Sequence, residues 1–118
     1  MTQLKVEVQP HPERPEVRII TPVGSVDTLS AAEFSKAVAK VVGEKKYDIV
    51  IDFKDVDYVS SIGWGTIVSH VKTIERYRGR IALSGLQPTV YEVYRQMGFD
   101  TLVGHFPDVE SAVKIGLK

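Results

Sequence analysis

The stretch Asp48-Ile49-Val50-Ile51-Asp52-Phe53 decides the fold. Its central residues are apolar without interruption, and three of them are β-branched. Such a run is typical of a strand that is covered on both faces of a sheet. After residues 54–59, to which no element is assigned, Ser60-Ser61-Ile62-Gly63-Trp64-Gly65 opens a helix, whose apolar face carries Ile67, Val71 and Ile74. A strand followed by a helix is the repeating unit of a parallel α/β sheet.

The same alternation continues outward from this unit in both directions. Upstream, the pattern predicts strands over 4–8 and 17–23 with a proline-rich loop between them, then a helix from Leu29 to Gly43. Downstream, it predicts a strand over 80–84, a helix from Pro88 to Gly98, a strand over 101–103 and a helix after Asp108. The order is β-β-α-β-α-β-α-β-α, which indicates one α/β domain over residues 1–118 with a mainly parallel sheet and right-handed crossovers.

The composition is that of an ordinary globular domain. The chain has 118 residues, of which 15 are basic and 15 acidic, and it contains no cysteine. A net charge of zero argues against direct binding to nucleic acid, for which a basic surplus is typical. The lack of cysteine excludes disulfides and thiolate metal sites, and no histidine has the spacing of a metal ligand. We expect a cytoplasmic protein with no metal, cofactor, signal peptide or membrane segment.

The segment Ser60–Gly65 is the candidate functional site, because parallel sheets place function at the carboxyl ends of strands beside helix N-termini. Either Ser60 or Ser61 can cap the helix, and one cap needs only one serine. Gly63 and Gly65 remove side chains from the first turn, which would let another molecule approach closely. We place Trp64 beside the apolar stripe of the helix, either as an anchor for a partner or as a flanking core residue.

A helix N-terminus is also a favourable place for a phosphoserine. The free N–H groups and the positive end of the helix dipole stabilise the added negative charge. Phosphorylation adds about −1.5 to −2 charges. In a partly apolar contact surface, this charge would disrupt binding while the fold stays intact.

Four segments make the sequence resemble a known family, the STAS domain in its single-domain form as a bacterial anti-sigma factor antagonist. Gly24-Ser25-Val26-Asp27 matches the segment after the second strand, and Asp52-Phe53 matches the end of the buried strand. Tyr58-Val59-Ser60-Ser61-Ile62-Gly63-Trp64-Gly65 aligns without a gap to the family's serine motif. Ser84-Gly85-Leu86 and the helix after it match the later strand, loop and helix.

The resemblance assigns roles to individual residues. Ser61 takes the position of the phosphoacceptor, and Gly63 takes the position of the motif's glycine. Ser60 stands where the family usually has aspartate, while Ile62 and Trp64 are bulkier than the usual residues. The implied contact surface for a partner comprises Asp27, Ser60, Ser61, Ile62, Gly63 and Trp64. Asp27 either influences recognition by a kinase or caps the helix that begins near Thr28.

The resemblance also implies a partner-switching function. The unphosphorylated domain would bind an anti-sigma factor that is also a serine kinase of the histidine-kinase-like ATPase fold, and this binding would free a sigma factor. The kinase would use ATP to phosphorylate Ser61, and the antagonist would dissociate. A metal-dependent serine phosphatase would restore it. The domain itself would catalyse nothing.

Three alternatives remain open at this level. Ser61 on a strand-to-helix turn is similar to a hydrolase nucleophile, but Val59 stands where that motif has glycine, and no histidine is fixed as its base. A receiver domain would need an acidic cluster after its first strand and a lysine after its last, and this chain has neither. The third alternative is a STAS domain that is never phosphorylated and acts as a scaffold or binds a small ligand.

Overall fold

The computed structural model describes residues 4–117, which form a mixed sheet with helices on both faces. The strands are β1 (Lys5–Pro10), β2 (Val17–Val26), β3 (Asp48–Asp52), β4 (Val56–Val59), β5 (Arg80–Ser84) and β6 (Gly104–Phe106). The helices are α1 (Ala31–Gly43), α2 (Ser61–Arg76), α3 (Pro88–Gln96) and the short α4 (Val109–Ser111), with a 3₁₀ turn at Phe99–Thr101 and a π-helical turn at Ala112–Gly116. The predicted domain, residues 1–118, includes four residues that lie outside the described ones.

The predicted α/β class and mainly parallel sheet are confirmed. The strand order is β1-β2-β3-β5-β6, with β4 beside the far end of β2. Within residues 4–117, the pair β1–β2 is antiparallel, and the pairs β2–β3, β3–β5, β5–β6 and β2–β4 are parallel. Among the described helices, none has the length and apolar content that crossing a bilayer requires.

Strand β4 and the length of β2 differ from the prediction. β2 does not end at residue 23 but continues to Val26, and residues 24–26 pair in parallel with β4. Val56 and Val59 are buried at the two ends of β4, so a segment to which no element was assigned contributes to the core. Pro22 lies between the part of β2 that pairs with β3 and the part that pairs with β4, where its missing N–H costs no parallel ladder bond.

The last strand also lies later than predicted. Gly98 adopts the left-handed conformation (φ 77°) after α3, and residues 99–101 then form a 3₁₀ turn in which the N–H groups of Leu102 and Val103 both donate to the carbonyl of Phe99. The predicted strand over 101–103 is therefore wrong. β6 begins at Gly104, where the chain pairs with Ala82 of β5.

The core occupies both faces of the sheet, as the uninterrupted apolar run of β3 predicts. Ile49 and Ile51 pack into the larger cluster together with residues of α1, α2 and α3. Val50 points to the other face and packs with Val17, Ala82 and the C-terminal helical segment. β3 thus contributes side chains to the core on both faces of the sheet. Residues 53–55 follow it and lead to β4 and the segment Ser60–Gly65.

Candidate functional site

The ends of β2 and β4 bring two helix starts side by side. Val26 pairs with Val59, and the backbone N–H of Ser60 donates to the carbonyl of Val26 at 2.7 Å. The turn that contains Asp27 and leads to α1 therefore leaves the sheet beside the turn that opens α2. The candidate segment lies at the carboxyl edge of the sheet, where the sequence places it.

The two serines have different positions. Ser60 is 4% exposed, and its Oγ accepts a hydrogen bond from the N–H of Gly63 at 3.2 Å, which makes it the N-cap of α2. Ser61 is the first residue of the helix and is exposed. The structure therefore contradicts a surface position for Ser60 and leaves the hydroxyl of Ser61 accessible.

Gly63 is a glycine because of packing inside the domain. A Cβ at this position would lie 2.8 Å from Cγ1 of Val26 and 2.9 Å from Cγ1 of Val59, which is closer than real side chains come. Gly63 is buried and cannot serve as the bare contact that the sequence suggests. Gly65 is exposed, and a Cβ there would meet no described atom within 4 Å outside its own helix and its chain neighbours. The bare surface of the first turn is therefore at Gly65.

Trp64 is a core residue. It is 3% exposed, its ring stacks on Phe99 with centroids 5.0 Å apart, and it also packs against Phe53 and Tyr94. Of the two interpretations, the structure agrees with the buried one, so an anchoring role on the surface is wrong. Its Nε1 is buried and has no hydrogen-bond acceptor within residues 4–117, which costs about 1–3 kcal/mol.

The exposed apolar groups beside Ser61 are Tyr58 and Ile62. Tyr58 is 54% exposed at the end of β4, and Ile62 is 51% exposed in the first turn of α2. We call Tyr58, Ser61 and Ile62 the Ser61 face. Ile62 is among the predicted contact residues and Tyr58 is not, because the exposure of Tyr58 depends on strand β4, which the sequence pattern does not predict. An exposed apolar pair of this kind is suited to contact with another protein.

Asp27 is held by the turn that opens α1. Its Oδ1 accepts hydrogen bonds from the backbone N–H of Ser30 at 2.8 Å, from that of Leu29 at 3.0 Å and from the hydroxyl of Ser30 at 3.0 Å. These bonds, chiefly the one from the Ser30 backbone, lower the pKa of Asp27. These bonds hold the turn of residues 27–30 that precedes α1, whose N-cap is Ser30 and not Asp27. A role of Asp27 in kinase recognition stays a prediction.

Two carboxylates belong to the segments that lead into the Ser61 face. Asp57 is exposed on β4 next to Tyr58, and its Oδ1 accepts a hydrogen bond from the hydroxyl of Ser25 at 2.6 Å. Asp27 follows Val26, whose carbonyl accepts the bond from the N–H of Ser60. A complementary partner would carry basic groups around an apolar contact.

Comparison with known proteins identifies the family. A family model described as the STAS domain matches residues 9–112. The chain belongs to the STAS domain family. The resemblance seen in the sequence motifs is therefore confirmed over most of the chain.

Relatives of this STAS domain include named regulators. BtrV of Bordetella bronchiseptica, a candidate anti-sigma factor antagonist, is 29% identical over 76 residues, which are 64% of this chain and 66% of that protein, just under two thirds of its length. A candidate anti-sigma factor antagonist from Thermotoga maritima has a crystal structure with a TM-score of 0.84 at 22% identity, covering 92% of each chain. The Bacillus protein SpoIIAA in its phosphorylated form has a TM-score of 0.70 at 16% identity, covering 94% of this chain and 99% of that one. At these identities the two structures show a shared fold.

The histidines of this STAS domain are engaged away from Ser61. Nε2 of His11 lies 3.0 Å from a carboxylate oxygen of Glu110, and Nδ1 of His70 lies 2.9 Å from the carbonyl of Thr66. Nε2 of His105 accepts a hydrogen bond from the N–H of Leu86. None of these contacts gives Ser61 a general base, so nothing here favours the hydrolase alternative. Residues 4–117 contain no group of three or more histidines and carboxylates placed to hold a metal ion.

A small cleft opens beside the Ser61 face. It has a volume of about 200 Å³ and lies between β4, the first turn of α2 and α3. We call it the β4–α3 cleft; its lining residues are Asp57, Tyr58, Val59, Trp64, Thr89, Val90 and Val93. Most of these residues are apolar, so the cleft extends the apolar character of the Ser61 face.

Proposed function

We propose that this STAS domain is an anti-sigma factor antagonist that binds an anti-sigma factor in its unphosphorylated form and releases it when Ser61 is phosphorylated. The observation that carries the proposal is the exposure of Ser61 at the start of α2, while the neighbouring Ser60 caps the helix. A modifying enzyme can therefore reach the Ser61 hydroxyl without opening the fold. The similarity to BtrV supports the antagonist role.

The partner in this proposal is an anti-sigma factor that is itself a serine kinase of the histidine-kinase-like ATPase fold. The Ser61 oxygen attacks the γ-phosphorus of ATP, the new O–P bond forms, the bond to ADP breaks, and a base on the kinase takes the hydroxyl proton. A serine phosphatase reverses the modification by hydrolysis. The STAS domain supplies the acceptor and the docking surface, and it acts by binding in the cytoplasm, without contacting nucleic acid or a membrane.

The surroundings of Ser61 explain why a phosphate would act as a switch. At the first position of α2 the phosphate lies at the positive end of the helix dipole, so the fold tolerates it. Tyr58 and Ile62 lie beside it, and an apolar contact made by these side chains would have to bury a doubly charged group. The carboxylates of Asp27 and Asp57 add like charge nearby. Binding is therefore weakened while the domain stays folded.

A phosphorylation assay with matched serine variants tests the proposal. The purified domain is incubated with the anti-sigma factor kinases of the organism that encodes it, ATP and magnesium, and the peptide containing Ser60 and Ser61 is analysed by mass spectrometry. We expect phosphate on Ser61 in the wild type and in Ser60→Ala, and none in Ser61→Ala. Phosphate on Ser60, or an unmodified wild type in a complex with an active kinase, would contradict the proposal.

A further inference from the structure

The β4–α3 cleft is continuous with the Ser61 face. Tyr58 belongs to both, Val59 ends β4 two residues before Ser61, and Trp64 follows Ser61 by three residues. A protein that covers Tyr58 and Ile62 therefore also covers the mouth of the cleft. Ser61, the proposed phosphoacceptor, is not among the residues that line the cleft.

The size of the cleft restricts what it can hold. Its volume of about 200 Å³ is below the 300–1,000 Å³ that is typical of pockets for small molecules and cofactors. Apolar cavities of about 150 Å³ accept a benzene ring. The cleft is therefore suited to a single side chain, and its walls of Val59, Val90, Val93 and aromatic rings select an apolar one.

The helix on the far side of the cleft offers further apolar contact. Val93 is 41% exposed on α3 and lines the cleft, and Met97 is exposed one turn later. Thr89 and Asp57 are the polar members of the lining. Trp64 also lines the cleft and contributes an apolar ring to its wall.

We propose that one apolar side chain of the anti-sigma factor, of the size of leucine or phenylalanine, inserts into the β4–α3 cleft when the unphosphorylated domain is bound. This inference rests on the proposed function and adds α3 to the contact surface. The inserted side chain stabilises the complex, while phosphorylation of Ser61 on the adjacent face causes the complex to dissociate. Burial of one such side chain accounts for a change of about tenfold to a hundredfold in affinity.

The test compares a charge at the cleft with the same charge at a matched position. Val93→Asp and Thr89→Arg place a charge at the cleft, and Val8→Asp is the control, because Val8 is 40% exposed on the edge strand β1. Circular dichroism and thermal unfolding verify that each variant is folded. Affinity for the purified anti-sigma factor is measured by calorimetry. We expect a loss of about tenfold to a hundredfold for the two cleft variants and less than twofold for Val8→Asp.

The outcomes separate this inference from the proposed function. If the wild type binds none of the organism's anti-sigma factors, the proposed function fails, and this inference fails with it. If the wild type binds, Ser61→Asp does not, and both cleft variants bind as the wild type does, the cleft inference alone is overturned.

A direct probe of the cleft uses Trp64, the one tryptophan of the chain. The domain is labelled with 5-fluorotryptophan, and the fluorine resonance is followed as the anti-sigma factor is added. We expect the fluorine resonance of the wild type to shift on addition of the anti-sigma factor, and that of Val93→Asp to stay in place at the same concentration.

Two other results would overturn the proposal. A resonance that shifts with toluene but not with the anti-sigma factor would assign the cleft to a small apolar ligand. A wild-type dimer that Val93→Asp dissociates would assign it to a second copy, and either result overturns the proposal.

Discussion

The side chain of Ser60 accepts a hydrogen bond from the backbone N–H of Gly63 at 3.2 Å, and this contact fixes where α2 begins. The bond satisfies one of the N–H groups that a helix leaves without a partner in its first turn. It also separates the structural serine from the candidate phosphoacceptor, because Ser61 is then the first helical residue and takes no part in the cap. The two adjacent serines should respond very differently to the same substitution.

We predict that Ser60→Ala lowers the free energy of unfolding by about 0.5–2 kcal/mol, because the cap of α2 is lost. Ser61→Ala should change it by no more than about 0.5 kcal/mol, since an exposed hydroxyl outside the cap is removed. Urea denaturation of the two variants and the wild type measures both values. A loss for Ser61→Ala as large as that for Ser60→Ala would mean that Ser61 caps the helix.

The two glycines of the first turn provide a second matched pair. Gly63→Ala should destabilise the domain by about 1–3 kcal/mol, because the new Cβ would lie within 3 Å of Val26 and Val59 and the strands would have to shift. Gly65→Ala should stabilise it by about 0.5–1 kcal/mol, because alanine favours the helix and its Cβ meets open space. Thermal and urea unfolding of both variants test this difference in sign. Equal effects at the two positions would rule out the packing role assigned to Gly63.

Much of the fold follows from local patterns in the sequence, and the exceptions have long-range causes. The apolar run of β3 and the stripe of α2 carry their own periodicity, so their elements are predictable. Strand β4 has buried residues at its ends and two exposed ones, Asp57 and Tyr58, between them, which does not match the alternation expected of a strand. It is a strand because the end of β2 lies beside it, and that pairing joins residues about thirty positions apart.

In the candidate site, too, some features follow from local spacing and others depend on contacts with distant elements. By residue type alone, Ser60 and Ser61 are equal candidates for the cap, and the choice depends on the bond from the Ser60 N–H to the carbonyl of Val26 in another element. Trp64 is different, because it comes three residues before Ile67 and therefore lies on the stripe that continues to Val71 and Ile74. This spacing by itself predicts that Trp64 is buried. The predicted position of Trp64 beside the stripe is therefore wrong.

A carboxylate at position 61 should stabilise the fold and weaken the complex at the same time. We predict that Ser61→Asp raises the free energy of unfolding by about 0.3–1 kcal/mol at low ionic strength, because a negative charge at the first residue of α2 interacts favourably with the helix dipole. The same variant should bind the anti-sigma factor about tenfold or more weakly, since the charge is introduced into the Ser61 face, whose apolar members Tyr58 and Ile62 are exposed. Urea denaturation and calorimetry measure the two effects.

Ser69 offers the control for position 61, because it is exposed on α2 away from the helix start. Ser69→Asp should leave affinity within about twofold and give no gain in stability, because the dipole effect falls off within the first turn. If Ser61→Asp weakened binding only by unfolding the domain, its free energy of unfolding would drop instead of rise. That result would remove the physical basis of the switch.

The stability of the domain should depend on pH through His105. Burial lowers the pKa of His105 below its usual value, and its Nε2 accepts a hydrogen bond from the N–H of Leu86 at 3.1 Å, which a proton on that nitrogen would break. The unfolded chain therefore takes up the proton at a higher pH than the folded domain. The contribution of neutral His105 to the free energy of unfolding is fully present above a pH of about 6.5 and is lost as the pH falls below that value.

Urea denaturation between pH 8 and pH 5 measures this dependence. We expect the free energy of unfolding to decrease toward pH 5 in the wild type, and His105→Gln to show a flatter profile because the titrating ring is gone. A His105→Gln profile as steep as that of the wild type would show that other groups cause the dependence, and the hydrogen bond to Leu86 would then have no part in it.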